Sequence, residues 1–96
     1  MPAYIIALEV INDRDEFNTY RSLVHDVLDR YGGTIVVSNE DVEILEGSWP
    51  YTKTVVIRFP SVEQAKRWYD SEEYQAIIQH RLRAAATDLV LVDGKA

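Results

Sequence analysis

The sequence contains no cysteine, which excludes a disulfide framework, thiolate metal ligation and thiol redox chemistry, and with them iron-sulfur and zinc-ribbon readings. Basic residues are the minority. Ten lysines and arginines stand against 16 aspartates and glutamates, a formal net charge of −6. That balance opposes capture of phosphate backbones or anionic bilayers, so neither nucleic acid nor membrane is expected as a partner. Histidine occurs twice, at His25 and His80, and these positions form neither a His-x-x-x-His nor a His-Glu-x-x-His pattern. Glycine-rich phosphate loops and nucleophile elbows are missing too, so no metal and no cofactor is expected. The apolar opening Ala3 to Leu8 stops at Glu9 without a basic leader or a small-residue cleavage site. The expectation is a cytoplasmic protein with no secretory signal and no membrane span.

What is present is a globular composition, 47% hydrophobic and 27% charged over 96 residues, enough for one core and one domain spanning 1–96. A chain this short buries only about 60–65% of its unfolded surface, which makes association a natural supplement to its stability.

Tyr4 to Val10 is a β-rich run in which both alternating sets are largely apolar, the mark of a strand buried on both faces. Asp13 with Glu16 makes a capping box. Phe17, Tyr20, Val24, Val27, Leu28 and Tyr31 then recur at helical spacing until Gly32-Gly33. Thr34 to Ser38 reads as a second strand, with Val42 to Leu45 either extending it or making a small hairpin. After the loop Glu46 to Pro50, Lys53 to Phe59 reads as a third strand. Pro60 closes that strand, and Ser61 with Gln64 opens a helix that carries Val62, Ala65 and Tyr69 inward. Asp70-Ser71 resets the phase for Tyr74, Ile77, Ile78, Leu82 and Ala85, and Asp88 to Asp93 supplies the last strand.

The order strand, helix, strand, strand, helix, strand predicts an α+β, ferredoxin-like βαββαβ domain with both helices on one face of an antiparallel sheet. The other face is then bare, yet Ile5, Ala7 and Val56 are assigned to it, and an apolar patch of that kind marks an interface. A homodimer through the sheet face is therefore expected.

The residues Phe59-Pro60-Ser61, Ala65, Trp68-Tyr69, Ser71, Tyr74 and Arg81, with Tyr4-Ile5-Ile6-Ala7 and Leu45-Glu46-Gly47, resemble the family catalogued as domain of unknown function 1330. The resemblance spans nearly the whole chain, and the Trp68-to-Tyr74 run is its most specific part. It implies a dimeric α+β barrel in which two ferredoxin-like protomers face their sheets together. It implies no reaction, because the superfamily includes monooxygenases, isomerases, haem enzymes and proteins without known chemistry.

Arg81 falls inside the apolar stripe of the last helix, between Tyr74, Ile77, Ile78 and Ala85. A guanidinium there needs a carboxylate, a carbonyl cluster or an anionic ligand. Arg21 and His25, one turn apart, edge the first helix's stripe and suit an anion, with His25 the candidate acid or base. Glu9 and Arg58 interrupt their strands on the face assigned to the dimer. With the first and third strands parallel, as expected here, the two pair with each other, either lining a cavity between the sheets, where Arg58 is a ligand-binding candidate, or fixing strand register and dimer geometry. Trp49, Trp68 and Tyr74 are aromatic pocket candidates, and Tyr69 falls on the packing stripe.

These residues point to a small dimeric module that holds a small anionic or planar metabolite between sheet and helices, with scope for cofactor-free acid/base chemistry. The competing expectation is a non-catalytic structural dimer whose charges pair internally and whose interior is filled. An oxygenase acting on aromatic substrates is a third, carried by fold analogy alone.

Overall fold

Three caps divide the helical part of the chain. Asp13 Oδ1 accepts from the Glu16 amide at 3.1 Å and starts helix α1 (Arg14–Arg30). Ser61 Oγ accepts from the Gln64 amide at 3.1 Å and starts α2 (Val62–Asp70). Ser71 ends α2 and, by accepting from the Tyr74 amide at 3.0 Å, starts α3 (Glu72–Ala84). At the far end of α1 the chain turns through Gly32, whose φ of 77° suits glycine, and the Gly33 amide closes the helix on the Leu28 carbonyl at 2.9 Å.

The computed structural model describes residues 1–94, and no helix among them is long and apolar enough to cross a membrane. Strands β1 (Ala3–Ile11), β2 (Thr34–Asn39), β3 (Lys53–Phe59) and β4 (Ala85–Asp93) form one antiparallel-paired sheet in the order β2-β3-β1-β4. The architecture is the α+β, ferredoxin-like one expected, with three helical segments on one side of four strands. The core lies between them and centres on Phe17, Leu28, Phe59, Trp68 and Tyr74.

Several expectations are corrected. β1 and β3 are antiparallel, not parallel: the α1 crossover returns β2 in the direction of β1, and β3 slots between them in reverse. Glu9 therefore sits opposite Lys53, and Arg58 sits opposite Tyr4 at the other end of the strand. A Glu9–Arg58 pair is ruled out by that register. Ile5 and Ala7 face the helices together with Ala3 and Glu9, so the open face of β1 belongs to Tyr4, Ile6, Leu8 and Val10. Val56, opposite Ile6, does lie on the open side.

Val42 to Leu45 neither extends β2 nor forms a hairpin. It belongs to the irregular connection 40–52, where Leu45 is 85% exposed. β4 begins at Ala85, before Asp88, because Ala85 already pairs with Ile11. In α2 the aromatic assignment is reversed: Trp68 is buried beside Ala65, whereas Tyr69 is 36% exposed. Leu82 points outward and leaves the inner stripe of α3 to Tyr74, Ile78, Arg81 and Ala84.

The α1–β2 corner is tight. A Cβ on Gly33 would stand 2.8 Å from Leu28 Cδ2 and 2.9 Å from the Phe59 ring, both in the core. Gly33→Ala should therefore lose about 1–3 kcal/mol of stability through overpacking, measured by urea denaturation. A midpoint unchanged from the wild type would contradict the packing described for this corner.

Candidate functional site

Glu9, Lys53 and Arg81 are buried charged residues, 2%, 5% and 5% exposed. Each is placed by the fold. The inward alternation of β1 that buries Ala3, Ile5 and Ala7 carries Glu9 onto the same face. Register then sets Lys53 beside it on β3 and Thr87 on β4. Arg81 reaches the group from α3, where it shares the inner stripe with Tyr74 and Ile78. Between them is a cavity of about 280 Å³ bounded by α1, α3 and the sheet. Its walls are mostly apolar, from Phe17, Val24, Leu28, Val55 and Leu89. Exposed Arg21, His25 and Ser38 sit at its edge between α1 and β2.

The polar groups around this cavity do not neutralise one another by contact. Arg81 Nε donates to Tyr74 Oη at 3.2 Å, and Tyr74 Oη shares a hydrogen bond with Tyr20 Oη at 2.8 Å. Glu9 Oε2 accepts from Thr87 Oγ1 at 3.4 Å. Among the described residues, no carboxylate oxygen comes within 4.0 Å of a side-chain nitrogen of Arg81, Lys53 or Arg21. The Lys53 ammonium lies instead over the Phe17 ring, 5.6 Å from its centroid. Glu40, whose charge acts on Lys53, is held in a two-point bond by Arg14, at 2.7 and 3.1 Å. The indole Nε1 of Trp68, another lining residue, is buried without a partner.

Burial sets the direction of the titration of Glu9, Lys53 and Tyr20. It raises the Glu9 carboxyl above its ordinary range, against the pull of the Arg81 and Lys53 charges and the Thr87 bond. It lowers the Lys53 ammonium, helped by the Arg21 charge, with Glu40 and Glu9 opposing. It also raises the Tyr20 phenol well above normal, with Tyr74 adding to the effect. The site thus holds a carboxyl and an amine whose proton affinities have moved toward each other, a hydrogen-bonded phenol pair, and two arginines.

Of the residues singled out in the sequence, Arg21, His25, Trp68, Tyr74 and Arg81 all line this one cavity. Trp49 and Arg58 are not brought to it. Trp49 is 40% exposed, bonds Thr54 Oγ1 at 3.2 Å and packs edge-on against Tyr51. Arg58 is exposed on β3, opposite Tyr4 and Thr34. Lys53 and Tyr20 line the cavity and were missed as site candidates, while Glu9 was assigned to a cavity on the opposite face. The available signal was Lys53 at the start of an inward-alternating strand, a cation in phase with Val55, Ile57 and Phe59.

The family model described as "Domain of unknown function (DUF1330)" matches residues 2–95. No curated protein matches the chain. Among solved structures, a Rhodopseudomonas palustris protein of unknown function is 18% identical with a TM-score of 0.75, the match covering 99% of this chain and 83% of that one. A dimeric ferredoxin-like protein of unknown function from Jannaschia sp. CCS1 is 10% identical, with a TM-score of 0.76 and all of both chains covered. SnoaB, a cofactor-independent oxygenase from Streptomyces nogalater, is also 10% identical, with a TM-score of 0.70 and coverage of 99% and 94%. At these identities the likeness is one of fold.

The raised Glu9 carboxyl has a measurable consequence for stability. A folded-state pKa above the unfolded one means that the native state holds the proton more tightly, so stability falls as pH rises through that window. Glu9→Gln, which cannot ionise, should be more stable than the wild type at neutral pH and should match it below the ordinary carboxylate range. Thermal melts of both proteins across pH check this, and a wild type that gains on the variant as pH rises would refute it.

Proposed function

The chain belongs to the Domain of unknown function (DUF1330) family, and from that starting point we propose that it is a homodimeric module that binds a small planar organic anion in the cavity between α1, α3 and the sheet. The observation that carries this reading is the charge inventory of the cavity: Arg81, Lys53 and Arg21 against one carboxyl, Glu9, in a protein whose net charge is −6. A buried cation without a counter-ion in contact is unfavourable by several kcal/mol, roughly. An organic carboxylate or phenolate seated on Arg81 removes that penalty and leaves its ring against Val24, Val55 and Leu89. At about 280 Å³ the space suits one small aromatic acid.

Two groups in the same cavity are able to move a proton, Glu9 at its floor and His25 at its edge. They give the site the means for acid/base chemistry without a cofactor. The tyrosine pair serves the ligand differently: Tyr74 fixes the Arg81 guanidinium through Nε, leaving its terminal nitrogens for the anion.

Dimerisation is argued from the bare face of the sheet. Ile6, Leu8, Val37, Val56, Val90 and Val92 share that face, and the last two are 52% and 43% exposed. The protomer is a slab only 16 Å thick in its short dimension, one layer of helices on one sheet. A second copy laid sheet to sheet covers the patch and completes the sandwich, and the Jannaschia relative is described as dimeric.

Two measurements test the reading. Titration calorimetry with 1-naphthoate should show one site per chain. Arg81→Met should weaken it at least tenfold, and Arg81→Lys, which keeps the charge, should weaken it less. Equal affinity in all three proteins would discard the ligand assignment. By sedimentation, Val90→Glu should convert a dimer into a folded monomer. A wild type that sediments as a monomer would remove the dimer from the proposal.

A further inference from the structure

Lys53 is more than an anion site requires. It is one of three lysines in the chain, with Lys66 and Lys95. Its side chain is buried, lines the cavity, and stands over an aromatic ring with no carboxylate within 4.0 Å among the described residues. An ammonium kept this way has exchanged water for a weaker partner, which favours the neutral, nucleophilic amine. Glu9 is its direct cross-strand neighbour, so the two Cβ atoms lie about 5 Å apart. Arg81 reaches the same end of the cavity and acts on the same carboxyl.

Resting on the reading that this cavity takes an organic anion, we infer that the ligand is an oxo acid, whose carbonyl carbon is captured by Lys53 as an imine while Arg81 holds its carboxylate. The step is balanced by groups already in place. The Glu9 carboxylate takes one proton from the Lys53 ammonium. The freed Nζ pair adds to the carbonyl carbon, and the electron pair of the C=O double bond moves to oxygen, which receives that proton from Glu9. A second nitrogen proton follows by the same route, the C–O bond breaks, and the oxygen departs as water. Two of the three ammonium hydrogens leave on that water, the third stays on the imine nitrogen, and no oxidant or reductant is consumed.

The surroundings favour the product. Burial lowers the amine's proton affinity and raises that of the Glu9 carboxyl, which brings donor and acceptor closer in strength. The imine keeps the positive charge over Phe17, and the apolar walls limit the water available to hydrolyse it.

The test uses the full chain with phenylpyruvate and sodium cyanoborohydride, which reduces an imine to a stable secondary amine. Peptide mass spectrometry should find a mass gain equal to phenylpyruvate less one oxygen on Lys53, at least tenfold above Lys66 and Lys95. The gain should saturate with phenylpyruvate, disappear in Lys53→Arg, and fall at least tenfold in Arg81→Met. Lys53→Gln, checked for folding by circular dichroism, serves if the arginine variant does not fold. Phenylpyruvate that binds by calorimetry without a trapped adduct, or an adduct spread evenly over the three lysines, overturns the imine and leaves the anion site standing. Failure of both phenylpyruvate and 1-naphthoate to bind overturns the imine and the anion site together.

Discussion

An arginine and a lysine held out of water, with no carboxylate in contact among the described residues, set the terms for the rest of this molecule. Burial of such groups is unfavourable unless something answers them, and the fold answers each only in part. Tyr74 takes one hydrogen bond from Arg81, the Phe17 ring underlies Lys53, and Glu9 sits near both without closing a salt bridge. The remaining need is met by an anion entering the cavity or is carried as lost stability. Natural domains keep losses of this sort mainly at functional sites.

The sheet makes that arrangement possible. β3 lies between β1 and β2 in reverse, so Lys53 and Glu9 meet at one end of the sheet, while Arg58 is sent to the other end and the opposite face. The same alternation gives the slab its two surfaces: one carries the core and the charged cavity, the other an aliphatic patch around Ile6, Val56 and Val90, bordered by Arg58, Thr54 and Asp88. The cavity and the open face are thereby separated by the thickness of one strand, and a substitution on the open face leaves the cavity lining untouched.

Much of this was legible in the residues. The caps at Asp13, Ser61 and Ser71, the Gly32 turn and the helical stripe of α1 are local signals, and each element formed where its signal stood. Arg81 was legible because a cation in an apolar stripe has few uses, and Arg21, His25, Trp68 and Tyr74 do converge with it on one cavity. What was not legible depended on register and phase. Both alternating sets of β1 are apolar, so the sequence holds no sign of which one faces the helices, and a slip of one residue sent Ile5, Ala7 and Glu9 to the wrong side. Trp68 and Tyr69 are adjacent aromatics on a helix of nine residues, too short for periodicity to separate them. Lys53 stayed hidden because a charge at the start of a strand ordinarily reads as a solvated end. Only its pairing with Glu9 brings it inside.

The proposed role of this cavity is a seat for an aromatic anion. Crystals grown with a brominated naphthoate test it most directly, because anomalous scattering from bromine locates the ring without reference to the protein. One bromine site per chain is expected among Val24, Val55 and Leu89, with the carboxylate on the terminal nitrogens of Arg81. Bromine only at the surface, with ordered water bridging Arg81 and Glu9 inside, would contradict it.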